Sequence, residues 1–209
     1  MNLLRLLVCF LGAYLIGSIP VGYIIGKIFF HKDIRTAGSG NIGATNALRL
    51  FGTKVGIGIL LLDMLKGFGV ILLARLILGT QSPWVVVCGL TVILGHVFTI
   101  FLRFKGGKGV ATAGGVFLAM APVALLLTLL SFILITAITR YVSLGSILGA
   151  LGFGVMVTFQ QLSLPQPSWL FMVMAYAIII MIVVKHRDNI VRLMKGTENK
   201  ISFTKKGSV

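Results

Sequence analysis

Long apolar runs constrain this chain more than any other feature. They lie at about 3–26, 55–78, 84–102, 110–139, 142–162 and 168–184. A helix needs about 20 apolar residues to cross the hydrocarbon core of a bilayer. No soluble core could bury so many. Composition agrees: 57% of the 209 residues are hydrophobic and only 11% are charged, against about 25% charged in ordinary soluble domains. The first run exceeds a signal-peptide core and lacks a clear small-residue cleavage site after it. It is expected to stay as a first span. The expected fold is all-α, a single polytopic membrane domain over 1–209.

The 19 Lys and Arg outnumber the four acids Asp33, Asp63, Asp188 and Glu198, and they are unevenly placed. Lys27, Lys32, Arg35, Arg49 and Lys54 lie between the first two runs. Arg103, Lys105 and Lys108 follow the third. Lys185, Arg187, Arg192, Lys195, Lys200, Lys205 and Lys206 follow the last. The connections 79–83 and 163–167 carry no charge. Short basic loops stay in the cytoplasm, so the basic segments are expected inside and the Pro-containing turns outside. Parity then requires an even number of crossings between Lys108 and the basic tail. The run 110–139 would be about 45 Å long as one helix and contains Pro122, which removes a helix hydrogen bond. Splitting it near Ala121–Pro122 satisfies parity. The expected spans are 3–26, 55–78, 84–102, 110–121, 123–139, 142–162 and 168–184. These are seven transmembrane helices, some short, with the N-terminus outside and the C-terminus cytoplasmic. A re-entrant pair over 110–139 would keep the same parity. Residues 199–209 are expected to form a peripheral tail.

Three polar segments interrupt this apolar chain, all on the expected cytoplasmic side. The first is Gly38-Ser-Gly-Asn-Ile-Gly-Ala-Thr-Asn46, followed by Arg49. Its glycines let backbone N–H groups converge on an anion. Ser39, Gly40, Asn41, Thr45 and Asn46 offer neutral hydrogen-bonding groups, and Arg49 can grip a phosphate bidentately. Gly38, Gly40 and Gly43 also match a dinucleotide fingerprint, with Asp63 at the expected distance. No βαβ unit surrounds them and Asp63 lies inside an apolar run, so that reading fails.

The second segment is Phe104-Lys-Gly-Gly-Lys-Gly-Val-Ala-Thr112. Lys105, Gly106, Gly107 and Lys108 suit a phosphate, and the helix expected to open at Val110 adds its N-terminal attraction for anions. The pattern is not a Walker A, because Gly109 rather than Ser or Thr follows Lys108. The third segment, Lys185 to Glu198, places His186 and Asn189 three apart, on one face if helical. Its Arg187 and Arg192 could instead face anionic headgroups.

Within the spans, Asp63 and Lys66 are close enough to pair on one helix. His96 lies near the inner end of its run. Cys9 and Cys88 both sit in apolar runs, and no Cys or His has metal-ligand spacing. No metal and no cofactor is expected. The segments together imply a cationic pocket rich in N–H donors, ringed by apolar helices. Its substrate should be anionic, phosphorylated and partly greasy.

In order, spacing and length, the three segments resemble the signatures of the bacterial acyl-phosphate:glycerol-3-phosphate acyltransferases. The likeness covers essentially the whole chain. It implies a seven-helix bundle in the bacterial cytoplasmic (inner) membrane, with its site facing the cytoplasm. It implies transfer of a fatty acyl group from acyl phosphate to the 1-hydroxyl of sn-glycerol 3-phosphate, giving lysophosphatidate and phosphate, the first acylation of phospholipid synthesis. The family's phosphate-binding positions fall on Ser39, Arg49, Lys108, His186 and Asn189. Its glycine-rich second segment, linked with glycerol 3-phosphate, falls on 104–112.

An acyl phosphate already carries a good leaving group, so direct attack by the acceptor hydroxyl needs no covalent enzyme intermediate. The proton could go to His186, oriented by Asn189, or to a phosphate oxygen of the substrate. Ser39 as a nucleophile is a third route, without an evident base partner. Expected partners are the two substrates and membrane lipid, with no nucleic acid. Rival readings fit less well. A phosphate transporter often shows an internal repeat and polar groups at the midplane, and a CDP-alcohol phosphotransferase needs an aspartate cluster.

Overall fold

The computed structural model describes residues 2–201. Its helices are α1 (Leu3–Ser18), α2 (Val21–Phe30), α3 (Ala44–Phe51), α4 (Thr53–Leu78), α5 (Trp84–Val97), α6 (Val110–Met120), α7 (Pro122–Thr139), α8 (Val142–Leu162), α9 (Trp169–Lys185) and α10 (Arg187–Met194), with 3-10 turns at Ile34–Thr36 and Ile100–Leu102. Four helical segments are long and apolar enough to cross a membrane: Thr53–Leu78, Trp84–Leu102, Pro122–Thr139 and Val142–Leu162. Two bent pairs, α1 with α2 and α9 with α10, could each add one, and α6 is a shorter apolar helix.

Prolines set two of the breaks. The run expected as one helix over 3–26 bends by 42° between α1 and α2. Pro20, the N-cap of α2, has no N–H to continue the ladder. The expected split of 110–139 falls at Ala121, with Pro122 at the start of α7, where a missing N–H costs nothing. The expected span 84–102 matches the helical segment Trp84–Leu102, in which α5 ends at Val97 and the 3-10 turn Ile100–Leu102 follows. The next loop folds back on α5: Gly106 N–H donates to Val97 O and Gly107 N–H to His96 O, both at 3.1 Å.

α5 is the central helix, burying Val85, Val86, Cys88, Val92, Ile93, His96 and Val97. α1 lies against it with Gly17 on the Val92 backbone and Gly95 on Tyr14 O. α4 and α6 approach in the same way, Gly67 meeting Thr112 and Gly115 meeting Met64. Small residues allow backbones this close, which is how apolar helices gain packing without a hydrophobic drive between them. Phe117 and Phe153 pack at 4.2 Å between ring centroids. α7 buries only Ala124 and presents Leu126, Leu130, Ile133, Leu134 and Ile138 outward. That face suits lipid, not water. Residues 199–201, expected in a peripheral tail, are instead docked: Ile201 N–H donates to Arg140 O at 2.8 Å, and Ile201 is buried. Residues 202–209 lie outside the described residues.

Candidate active site

The polar segments meet at the end of the bundle where α4, α6 and α8 begin and α5 and α9 finish. A cavity there, about 790 Å³ with its open mouth, is lined by Ser39, Asn41, Thr45, Asn46, Arg49, Asp63, His96, Lys108, Ser143, His186, Asn189 and Glu198 among others. Leu60, Val110, Phe132 and Val142 give it an apolar side.

The first loop is organised by one side chain. Asn46, 1% exposed, accepts the Ser39 N–H at 2.8 Å and donates through Nδ2 to Ile34 O, Ala37 O and Asn41 O. Its hydrogen-bonding groups are committed to the loop. Asn46, expected as a substrate ligand, lines the pocket and also ties the loop from inside. Asn41 Oδ1 likewise accepts the Gly43 N–H at 2.8 Å. Ser39 stays exposed at the pocket. Gly40 supplies a left-handed turn, φ 68°, and is not among the lining residues. Arg49, one α3 turn from Thr45, sends Nη2 to Asn199 O at 3.1 Å. Its Nε is buried with no hydrogen-bond partner among the described residues. Burial pushes this guanidinium's pKa down from its ordinary value, with Glu198 opposing. A charged N–H left unpaired inside a pocket is poised for an anion.

The second loop divides its expected residues. Lys108 reaches the pocket and donates to Asn189 Oδ1. Lys105 is exposed and does not line it. Gly106 and Gly107 were expected among the phosphate-binding positions; their N–H groups donate to the carbonyls of α5. These two glycines serve close packing: a Cβ on Gly106 would meet His96 O, and one on Gly107 the His96 ring. Burial pushes the Lys108 ammonium down to about 8, against the pull of Glu198.

At the third segment the chain bends by 53° between α9 and α10, with His186 at the corner. Its Nδ1 lies 2.8 Å from Ile182 O. A carbonyl can only accept, so Nδ1 carries the proton and Nε2 is a free acceptor. Burial, then the Lys108 charge, push His186 down to about 4, so it is neutral near pH 7.

Glu198 is the residue that sequence reasoning missed. It is 8% exposed. It accepts from Ser143 Oγ at 2.9 Å, Asn189 Nδ2 at 2.8 Å and Arg192 Nε at 2.7 Å. Burial raises its pKa, but these bonds outweigh it and hold the carboxyl below the usual range. Glu198 thereby fixes the Asn189 amide, whose oxygen faces Lys108. Its spacing of nine from Asn189 follows no helical period, since Gly196 turns the chain back at φ 67°. Asp63 and His96, treated from sequence as groups within the spans, also line the pocket.

The arrangement is a polar, cation-bearing cleft against an apolar wall, suited to holding a phosphorylated headgroup beside a hydrocarbon chain. The glycerol-3-phosphate acyltransferase family model matches residues 7–196. The chain is 50% identical to a glycerol-3-phosphate acyltransferase of Geobacter sulfurreducens over 90% of its own length and 93% of that protein's. It is 44% identical to glycerol-3-phosphate acyltransferase 2 of Bacillus anthracis, covering 96% and 100%. Crystal structures of PlsY (YgiH), an integral membrane glycerol 3-phosphate acyltransferase, are similar in fold. The glycerol 3-phosphate form has a TM-score of 0.87 at 38% identity, covering 94% of this chain and 96% of that one. The lysophosphatidic acid form has 0.84 at 37%, covering 95% and 96%. With this fold, these motifs and this pocket, the chain belongs to the integral membrane glycerol-3-phosphate acyltransferase family.

Proposed function

We propose that this acyltransferase takes its acyl group from a fatty acyl phosphate and places it on the 1-hydroxyl of sn-glycerol 3-phosphate, releasing lysophosphatidate and inorganic phosphate. The unpaired Arg49 Nε beside Lys108, in a cleft with an apolar side, carries this reading. The related PlsY was crystallised in glycerol 3-phosphate and lysophosphatidic acid forms, which supports the acceptor and the lipid product. The basic loops at the pocket end, against the uncharged loops 79–83 and 163–167, support a cytoplasmic pocket, an inside C-terminus and seven crossings in a bacterial inner membrane.

Two phosphorylated substrates repel each other. Arg49 and Lys108 offset that repulsion, and positioning alone can lower a barrier by roughly 7–11 kcal/mol at best. The acceptor oxygen attacks the acyl carbon, a C–O ester bond forms, and the acyl C–O bond to phosphate breaks. The electron pair leaves with phosphate, whose charge the two cations stabilise. The hydroxyl proton ends on the departing phosphate. Neutral His186, with a conjugate acid near 4, is a weak base beside a phosphate with a second pKa of about 6. It is better suited to orient the hydroxyl through Nε2. Ser39 has no base within hydrogen-bonding distance among its described bonds and serves as a phosphate ligand.

The test is phosphate release from palmitoyl phosphate by detergent-purified protein, with and without glycerol 3-phosphate. Acyl-CoA and acyl carrier protein donors are the controls. Acceptor-dependent release with lysophosphatidate formation, lost in Lys108→Ala, is the expected result. Transfer from acyl-CoA alone would overturn the donor assignment.

A further inference from the structure

The cavity contains two carboxylates in opposite states. Glu198 is saturated by Ser143, Asn189 and Arg192. Asp63, 2% exposed, receives no hydrogen bond from any amide or hydroxyl of the described residues. Its charge is met by Lys66, whose Nζ lies 2.7 Å from Oδ1. A carboxylate offers about four acceptor sites, so Asp63 keeps capacity toward the cavity it lines. Lys66 has none to spare: the same Nζ lies 2.8 Å from His96 Nδ1 and donates to Ile19 O at 3.2 Å.

This geometry also fixes His96. An ammonium can only donate, so His96 Nδ1 is the acceptor and its proton sits on Nε2. The two cavity histidines therefore hold opposite tautomers. His186 accepts through Nε2, whereas His96 donates through Nε2. Arg49 and Lys108 line the cavity and suit phosphate. Asp63, an acceptor, and His96, a donor through the nitrogen that packs beside Gly107, line it too, with His96 Nδ1 3.6 Å from Asp63 Oδ1. A carboxylate repels phosphate but accepts from a hydroxyl, and a neighbouring donor can return a bond to that hydroxyl's oxygen.

We propose that Asp63 and His96 form the subsite for the 2-hydroxyl of glycerol 3-phosphate, with Lys66 as the residue that positions both. The proposal rests on the reading above, in which the phosphate lies at Arg49 and Lys108 and the 1-hydroxyl faces His186. The subsite then determines acceptor specificity: it selects a vicinal diol phosphate over a simple hydroxyalkyl phosphate.

The probe is 3-hydroxypropyl phosphate, which keeps the primary hydroxyl and the phosphate and lacks the 2-hydroxyl. Wild-type kcat/KM should favour glycerol 3-phosphate by roughly 100-fold or more, as expected of a site built around a substrate hydroxyl. In Asp63→Asn that preference should shrink by about 10-fold or more, through loss with glycerol 3-phosphate and little change with the analogue. Removing one member of a buried pair can unfold a protein, so D63N/K66M, which neutralises both, is measured alongside. Equal wild-type use of the two acceptors would overturn the proposal without any variant. A folded, active D63N or D63N/K66M that keeps the full preference would overturn it too. Absence of transfer to either acceptor by folded wild type would instead refute the acyl-phosphate reading.

Discussion

The two glycine-rich loops that flank the pocket are built on opposite plans. The loop before α3 hangs on the Asn46 side chain, which ties four backbone positions from inside. The loop before α6 hangs on its own backbone, Gly106 and Gly107 bonding the end of α5. In sequence both resemble an anion cradle. In space, the second loop's two glycine amides are spent, and its glycines are spacers that let a loop lie flat on the His96 turn. A glycine-rich segment beside lysines thus need not bind phosphate through its N–H groups. Here it delivers one lysine, Lys108, to the pocket.

The comparison is broken most severely at Gly106. Gly106→Ala puts a methyl group against the His96 carbonyl, an immovable backbone atom. We expect kcat/KM to fall at least ~10²-fold, because Lys108 moves with the loop. A loop acting only through its amide would tolerate alanine, so a change under threefold in steady-state kinetics would refute the packing role. The counterpart in the first loop is Asn46→Asp, which deletes the donors to Ile34 O, Ala37 O and Asn41 O. Leaving these groups unpaired should cost roughly 3 kcal/mol, visible as a lower thermal midpoint in detergent. An unchanged midpoint would show that the tie is dispensable.

A gentler probe is pH. Lys108, held down to about 8, is charged below that value and loses its charge above it. Above pH 8, kcat/KM should therefore fall, approaching about tenfold per unit. Bound phosphates favour the charged form, so the kcat limb should lie at higher pH. Coincident limbs near the ordinary lysine value would exclude a buried Lys108. The smallest effect is expected at Lys105, which is exposed and off the pocket. Lys105→Ala should alter kcat/KM less than about twofold, mainly through salt-dependent encounter. A tenfold loss would return Lys105 to the site.

The sequence carried the class of fold because apolar length and proline placement are local signals. Pro122 marks the α6–α7 break, and basic loops mark one end. Pro20 marked a break as plainly, yet the apolar run continues through it, and hydropathy cannot distinguish a bend from a straight span. That Ser39, Arg49, Lys108, His186 and Asn189 share one pocket was legible because polar residues in so apolar a chain need a reason. Which glycine amides and asparagine groups remained free was not legible, since this depends on α5 carbonyls and on the Ile34 turn brought in from elsewhere. Glu198 escaped for the same reason: its partners Ser143 and Arg192 lie 55 and 6 residues away, and only the fold unites them.

The docking of Glu198 and Ile201 has a consequence for how the enzyme is made. Ser39, Arg49 and Lys108 enter the membrane early in synthesis, N-terminal parts first. The Asn189 amide that meets Lys108 is oriented by a carboxylate near the end of the described chain. A half-inserted polypeptide therefore holds the cations without their organiser. The pocket is complete only once the closing segment has folded back on α8, where Ser143 meets Glu198.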